Sequence, residues 1–286
     1  MSYANPTSLV STEWLSQNMS APDLRVVDAS WYLPAESRDP KAEFKQAHIP
    51  GAVFFDIDDI ADSESTLPHM VPAPEKFSSK MRKLGLGDGN RIVIYDGSGI
   101  RSAARAWWMI RLFGHEDVAI LDGGLPKWQA EERPTSDLPT PPAERHFTSR
   151  INSMMLKEKE QVLRNIDNAK AHVLDARPKG RFEGVDPEPR EGMRSGRIPG
   201  SLNLPFNQLL TEDGTLRTAS ELKVAYTAAG LTLDKPVITT CGSGITACVL
   251  TFGLHMIGKR DVAVYDGSWS EWGFDTDLPL ATGDSD

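Results

Sequence analysis

Cys241 is the residue of this chain best placed to do covalent chemistry. It follows a short apolar run, Pro236-Val-Ile-Thr-Thr240, and opens the loop Cys241-Gly-Ser-Gly-Ile-Thr246. A mostly apolar stretch, Ala247 to Ile257, comes next and predicts a helix. Strand, glycine-rich loop and helix in that order aim backbone N–H groups and a helix N-terminus at one sulfur. Gly242 and Gly244 let the backbone curl into an anion-binding nest. Such surroundings favour the thiolate, which is the nucleophile, over the thiol. The other cysteine, Cys248, falls inside the predicted helix and is expected to be a packed, inert thiol.

Spacing then separates three chemistries that use a cradled cysteine. A tyrosine phosphatase places an arginine six residues after its cysteine to clamp phosphate oxygens. Here that position is Ala247, and the next arginine is Arg260. A dithiol redox site needs Cys-x-x-Cys, and position 244 is glycine. A persulfide-forming sulfurtransferase needs one cysteine and a compact cradle, with no arginine inside the loop. That chemistry remains.

The elements that must position Cys241 are written twice. Val26-Val-Asp28-Ala29 matches Val173-Leu-Asp175-Ala176, and His48-Ile-Pro50-Gly51 matches Arg197-Ile-Pro199-Gly200. Ile92-Val-Ile-Tyr-Asp96-Gly-Ser-Gly-Ile100 matches Val237-Ile-Thr-Thr-Cys241-Gly-Ser-Gly-Ile245, and Asp117-Val-Ala-Ile-Leu-Asp122-Gly matches Asp261-Val-Ala-Val-Tyr-Asp266-Gly. The separations run from 144 to 149 residues, a domain-sized period that reads as a duplicated domain and not a solenoid. Within each copy short β-rich runs alternate with helical stretches. In the first these are Arg25–Ala29, Arg91–Asp96 and Val118–Leu121, set between Glu75–Leu84 and Ser102–Phe113. Alternation at this spacing predicts an α/β fold of two tandem domains, each a mainly parallel sheet flanked by helices. We expect a first domain over 1–135, an extended Pro-rich linker over 136–149 containing Pro139, Pro141 and Pro142, and a second domain over 150–286. The first copy carries Asp96 where the second has Cys241. A carboxylate cannot act as a thiol nucleophile, so the first domain is expected to be catalytically inactive.

Composition bounds the rest. At 286 residues, 40% hydrophobic and 25% charged, the chain reads as a folded globular protein. A net charge of −9 gives no basic excess for nucleic acid. Two cysteines exclude a disulfide framework and suit a reducing compartment. With neither a signal-peptide pattern nor a spanning apolar run, the expectation is cytoplasmic and without membrane. Nothing at ligand spacing suggests a metal or other cofactor. His48, before Ile-Pro-Gly, is expected to support a turn. Arg101 and Arg105, near the Asp96 loop, add positive potential to an interface or stand at the surface.

The repeat, the paired Ile-Pro-Gly segments and Cys-Gly-Ser-Gly-Ile-Thr resemble the tandem-domain rhodanese-fold sulfurtransferases over essentially the whole chain. Asp28-Ala-Ser-Trp-Tyr-Leu-Pro34, Phe54-Phe-Asp-Ile-Asp58 and Asp266-Gly-Ser-Trp-Ser-Glu-Trp272 bring the likeness nearest to 3-mercaptopyruvate sulfurtransferases. In those the loop reads Cys-Gly-Ser/Thr-Gly-Val-Thr, so Ile245 differs by one methylene. Thiosulfate-preferring relatives carry basic residues after the cysteine instead. The resemblance implies that Arg181 and Arg190 bind substrate, as a planar guanidinium suits a carboxylate and its keto oxygen. Without it, Glu183, Asp186 and Glu188 would make them ordinary ion-pair partners. It also implies a relay of Asp58, His69 and Ser243 beside Cys241, with Gly242, Gly244, Ile245 and Thr246 lining the loop; Thr246 is expected to cap the helix or close the cradle. Because His69 and Asp58 belong to the first copy, the site must lie at the domain interface. The activity implied is sulfur transfer from 3-mercaptopyruvate to cyanide or a thiol, with a thioredoxin-like reductant as possible partner. The alternatives are a thiosulfate:cyanide sulfurtransferase and a non-catalytic interaction protein.

Overall fold

The computed structural model describes residues 2–141 and 143–283; Pro142 of the expected linker and residues 284–286 lie outside the described residues. The N-terminal half runs β1 (Leu9–Val10), α1 (Thr12–Asn18), β2 (Leu24–Asp28), α2 (Pro40–Gln46), β3 (Val53–Phe54), α3 (Ile57–Ile60), α4 (Pro74–Lys83), β4 (Arg91–Tyr95), α5 (Ser102–Leu112), β5 (Val118–Leu121) and α6 (Gly124–Ala130). The C-terminal half repeats the series as β6 (Leu156–Lys157), α7 (Lys159–Asn168), β7 (His172–Asp175), α8 (Lys179–Phe182), β8 (Leu202–Asn203), α9 (Ala219–Ala228), β9 (Val237–Thr240), α10 (Ala247–Met256), β10 (Val262–Tyr265) and α11 (Ser268–Trp272).

Each half forms one five-stranded sheet, ordered β1-β5-β4-β2-β3 and β6-β10-β9-β7-β8, and every pairing is parallel. Helices cover both faces of such a sheet, which is why its central strands are buried, apolar runs and not alternating ones. β5, β9 and β10 are buried at every residue. Two five-stranded parallel sheets flanked by helices are the architecture the repeat predicted.

Two helices join the halves. α5 leaves the Asp96 loop and α10 leaves the Cys241 loop, and each is buried on nearly every side. They pack on one another, with the Trp107 and Phe252 rings edge-to-face at 4.9 Å. One hydrophobic cluster therefore runs through both halves. Because a loop at the carboxyl end of a strand feeds each helix, both loops are carried to the interface.

The segment expected to be an extended linker is strapped down instead. Ser136 pairs with His48 by an antiparallel bridge, Thr148 donates from its N–H (2.7 Å) and Oγ1 (2.6 Å) to Asp88, and Phe147 is buried against Phe77. An aromatic near its end gains more by burial than its prolines gain by extension.

Candidate active site

Cys241 stands just beyond β9 and is 2% exposed. Its loop is fixed from behind by the turn into α11. The Cys241 N–H donates to Ser268 Oγ at 3.2 Å, and Trp269 N–H donates to the Cys241 carbonyl at 2.9 Å. The Gly242 carbonyl accepts from the Ser270 N–H (2.8 Å) and hydroxyl (2.6 Å). Ser268 holds φ at +49°, left-handed backbone that a non-glycine residue adopts at a cost when the surroundings require it. Gly244 sits at φ +77°, and a Cβ there would come within 2.9 Å of Arg105 Nη1 and of the Asp266 carbonyl. No other residue fits that position without displacing the interface.

A cleft of about 120 Å³ opens over the sulfur, lined by Gly242, Ser243, Ile245 and Thr246 of the loop and by Arg177, Arg181 and Arg190 opposite. None of the loop side chains in it is charged. Arg177, fully buried, is saturated: it donates to Asp175 Oδ2 (2.7 Å), Glu188 Oε1 (2.7 Å) and the Gly196 carbonyl (2.8 Å). Arg181 donates to the other Glu188 oxygen at 2.5 Å, and its Nη2 lies 3.3 Å from where a Cβ on Gly242 would stand. The Arg190 guanidinium makes no ion pair or hydrogen bond among the described residues. Burial, and then the like charge of Arg181, makes its guanidinium easier to deprotonate than an ordinary arginine. An anion entering the cleft would relieve both penalties.

The first half supplies the opposite wall through Trp31, Leu33 and Arg101. Arg101 is mostly buried and pairs with Glu36 at 2.7 Å. Arg105 is 0% exposed, so both arginines belong to the interface and surface placement is corrected for each. Their helix, α5, leads inward and carries them with it. Asp58 and His69 come together, with Asp58 Oδ1 2.8 Å from His69 Nδ1. The approach is close without being an aligned hydrogen bond. His69 still holds the Asp58 carboxyl below the usual range. Trp31 stands between this pair and the cleft: its indole N–H donates to Asp58 Oδ2 (3.1 Å), and its ring meets His69 edge-on at 4.7 Å. Neither Asp58 nor His69 lines the cleft. His69 Nε2 is buried without a hydrogen-bond partner among the described residues.

The sequence profile of the Rhodanese-like domain matches residues 11–131 and 158–274. The chain belongs to the rhodanese family. It is 44% identical over 298 residues to thiosulfate/3-mercaptopyruvate sulfurtransferase 1, mitochondrial, of Arabidopsis thaliana, spanning 97% of this chain and 79% of that protein. It is 42% identical over 271 residues to 3-mercaptopyruvate sulfurtransferase of Homo sapiens, covering 93% and 91%. Among solved structures, the rhodanese fold of SseA from Escherichia coli, described as that of the 3-mercaptopyruvate sulfotransferases, superposes with a TM-score of 0.85 at 39% identity, covering 92% of this chain and 99% of that one.

Within this rhodanese frame, the structure brings Cys241, Ser243, Arg181 and Arg190 into one cleft and sets the Asp58–His69 pair behind its wall. Thr246 takes the N-cap position of α10, but its side chain makes no cap bond, so it closes the cradle without capping. Cys248 is fully buried and donates to the Gly244 carbonyl (3.2 Å); burial pushes its thiol well above the ordinary range. His48 supports its turn, its ring nitrogens lying 2.6 Å from the Phe44 carbonyl and 3.1 Å from the Leu138 carbonyl. Sequence reasoning missed Arg177 and Glu188 as the frame that holds Arg181, and Trp31 as the wall. The sequence offers Glu188 only as one of several nearby acidic partners; its two oxygens bridge Arg177 and Arg181, eleven and seven residues away, and spacing alone does not single it out from Glu183 and Asp186. The described residues hold no cluster suited to a metal and no helix long and apolar enough to cross a membrane.

Proposed function

We propose that the chain transfers sulfur from 3-mercaptopyruvate through a persulfide on Cys241, with the second domain (150–286) catalytic and the first (1–135) contributing one wall. The observation that carries this reading is the pairing of an uncharged cysteine loop with the unpartnered Arg190 guanidinium across the same small cleft. A cation in the cleft but outside the loop suits a donor whose charge lies on a carboxylate several bonds from its sulfur.

In the first half-reaction Arg181 and Arg190 hold the carboxylate and keto oxygen, and the Cys241 thiolate attacks the substrate sulfur. The carbon–sulfur bond breaks, its electron pair passes to carbon, and the enolate of pyruvate is stabilised beside the arginines. The proton lost from the substrate thiol ends on that carbon. Ser243 and His69 are the groups we assign to carry it, with Asp58 orienting the imidazole. The products are pyruvate and the Cys241 persulfide. In the second half-reaction cyanide or a thiol attacks the outer sulfur and the Cys241 thiolate departs. A thioredoxin-like dithiol in a reducing compartment such as the cytoplasm would serve as acceptor.

A thiosulfate donor is the second reading, favoured by the 42% identity to thiosulfate sulfurtransferase of Bos taurus over 93% of this chain. Incubation with each donor, followed by intact-protein mass measurement, decides between them. Mercaptopyruvate should add one sulfur atom to Cys241, and turnover should exceed that with thiosulfate. Equal or faster turnover with thiosulfate would reverse the donor assignment, and no added sulfur from either would leave a non-catalytic protein. Cys241→Ser should abolish labelling, whereas Cys248→Ser should largely keep it.

A further inference from the structure

The cradle of the second domain is aimed by a residue of the first. A trans peptide is planar, so its carbonyl and its N–H point in opposite directions. Three carbonyls of the Cys241 loop are held from outside, and each fixes the N–H that follows it. Trp269 holds the Cys241 carbonyl and thereby turns the Gly242 N–H inward, and Ser270 does the same for Ser243 through the Gly242 carbonyl. The third carbonyl, that of Gly244, receives Arg105 Nη1 at 3.2 Å and the weak Cys248 Sγ–H donor at 3.2 Å.

Arg105 lies 139 residues away in α5 and is wholly buried. Its guanidinium meets three things at once: the Gly244 carbonyl, Asp266 Oδ1 (2.7 Å) and the His69 carbonyl (2.5 Å). Asp266 in turn accepts the Val71 N–H at 2.7 Å. The loop bearing His69 and the loop bearing Cys241 are thus registered on one cation. The duplication supplies an internal control. The position in the second copy that corresponds to Arg105 is Leu250, so the first copy's loop at Gly99 has no such cation. There the N–H groups of Ser98, Arg101 and Ala103 donate to the Asp96 carboxylate instead.

We propose that Arg105 is a positioning residue that fixes the direction of the Gly244–Ile245 peptide and so arms the second domain's cradle from the first domain. The inference rests on Cys241 being the nucleophile, and it adds that the nucleophile's reactivity depends on the domain interface. With the Gly244 carbonyl held, the Ile245 N–H is turned the opposite way, back into the loop that Cys241 opens, where a donor assists a nucleophilic sulfur. Once it is released, that donor is free to rotate away.

The test is alkylation of Cys241 by iodoacetamide, read peptide by peptide, in the wild type, in Arg105→Lys and in Arg105→Gln combined with Asp266→Asn. Arg105→Lys keeps a charge beside Asp266 but presents one nitrogen where the guanidinium presents two. The double variant removes both buried charges together, so neither is left unpaired. In each variant that keeps its thermal transition, Cys241 should react about tenfold more slowly than wild type near pH 6.5, where a lost charge-assisting donor matters, and at a similar rate near pH 10. The kcat for mercaptopyruvate should fall with it, while KM changes less than about threefold because Arg181 and Arg190 are untouched. Rates within twofold of wild type near pH 6.5 in both variants would overturn the proposal; should the double variant not fold, Arg105→Lys decides alone. If wild-type Cys241 gains no sulfur from mercaptopyruvate or thiosulfate, the functional reading fails separately, whatever Arg105 does.

Discussion

Arg190 and Arg181 differ in a way that their sequence spacing conceals. Both face Cys241, but Arg181 already gives Glu188 a 2.5 Å hydrogen bond, whereas Arg190 is held in the cleft with no such partner. Arg190 therefore has the larger unsatisfied capacity, and a substrate carboxylate would gain most from it. A charge-assisted bond of this kind contributes about 1.5–3 kcal/mol. Arg190→Lys retains the charge but loses the planar fork. It should lower kcat/KM for mercaptopyruvate by about tenfold to a hundredfold, mostly through KM. Steady-state kinetics with both variants checks this, and a larger KM effect from Arg181→Lys would show the assignment of the principal clamp to be wrong. Cys241 was legible because strand, glycines and helix are contiguous in the chain, and those local features create its surroundings. Arg105 and Trp31 were not, because what makes them matter is a partner brought close only by the fold. Arg105 reads as an ordinary arginine until α5 is buried against α10.

At the scale of the elements, duplication made the fold readable. Parallel strands covered on both faces must be continuous apolar runs, and the central ones (β2, β4, β5, β7, β9 and β10) stand out twice at nearly constant separation. The edge strands β1, β3, β6 and β8 are two residues long and leave no periodicity to read. The two strand–loop–helix units also differ in what occupies the cradle. The sequence indicates that Asp96 cannot act as a thiol nucleophile; the structure adds that its carboxylate fills the cradle. Ser98, Arg101 and Ala103 donate to it at 2.8, 2.8 and 2.7 Å, so these backbone donors are already taken by a carboxylate of the chain itself. The cleft beside Ser98 and Gly99 is acidic besides, lined by Glu131, Glu212 and Asp213 against Lys127. Asp96→Cys should therefore destabilise the protein by about 2–4 kcal/mol, the cost of losing several charge-assisted bonds to backbone donors. It should gain no persulfide from mercaptopyruvate. Urea unfolding and peptide mass mapping measure the two effects, and sulfur appearing at position 96 would show that the carboxylate alone keeps this copy inactive.

The whole molecule is held by reciprocal clasps across its pseudo-two-fold interface. Val71 N–H reaches Asp266 Oδ2 (2.7 Å), and at the corresponding positions Leu216 N–H reaches Asp122 Oδ1 (2.8 Å). His69 and Gly214 both take left-handed backbone in the loops that make these contacts. The symmetry ends at the charges: Asp266 is neutralised by Arg105, but Leu250 stands where a matching arginine would meet Asp122. Burial accordingly raises the Asp122 carboxyl from 3.8 to about 6, opposed by the Leu216 N–H and by Lys127. A folded-state value above the ordinary one means that folding favours the protonated form. Its contribution is complete below about pH 4 and is lost as pH rises through about 6. At neutral pH the ionised carboxylate costs at most about 3 kcal/mol. Asp122→Asn keeps an oxygen for the Leu216 N–H and removes that charge. It should raise the Tm by about 4 °C at pH 7.5, and by much less at pH 4.5 where wild-type Asp122 is already largely protonated. Paired melts at the two pH values test the sign: a gain as large at pH 4.5 as at pH 7.5 would mean that the substitution acts by packing and that ionisation at this clasp does not limit the stability of the interface.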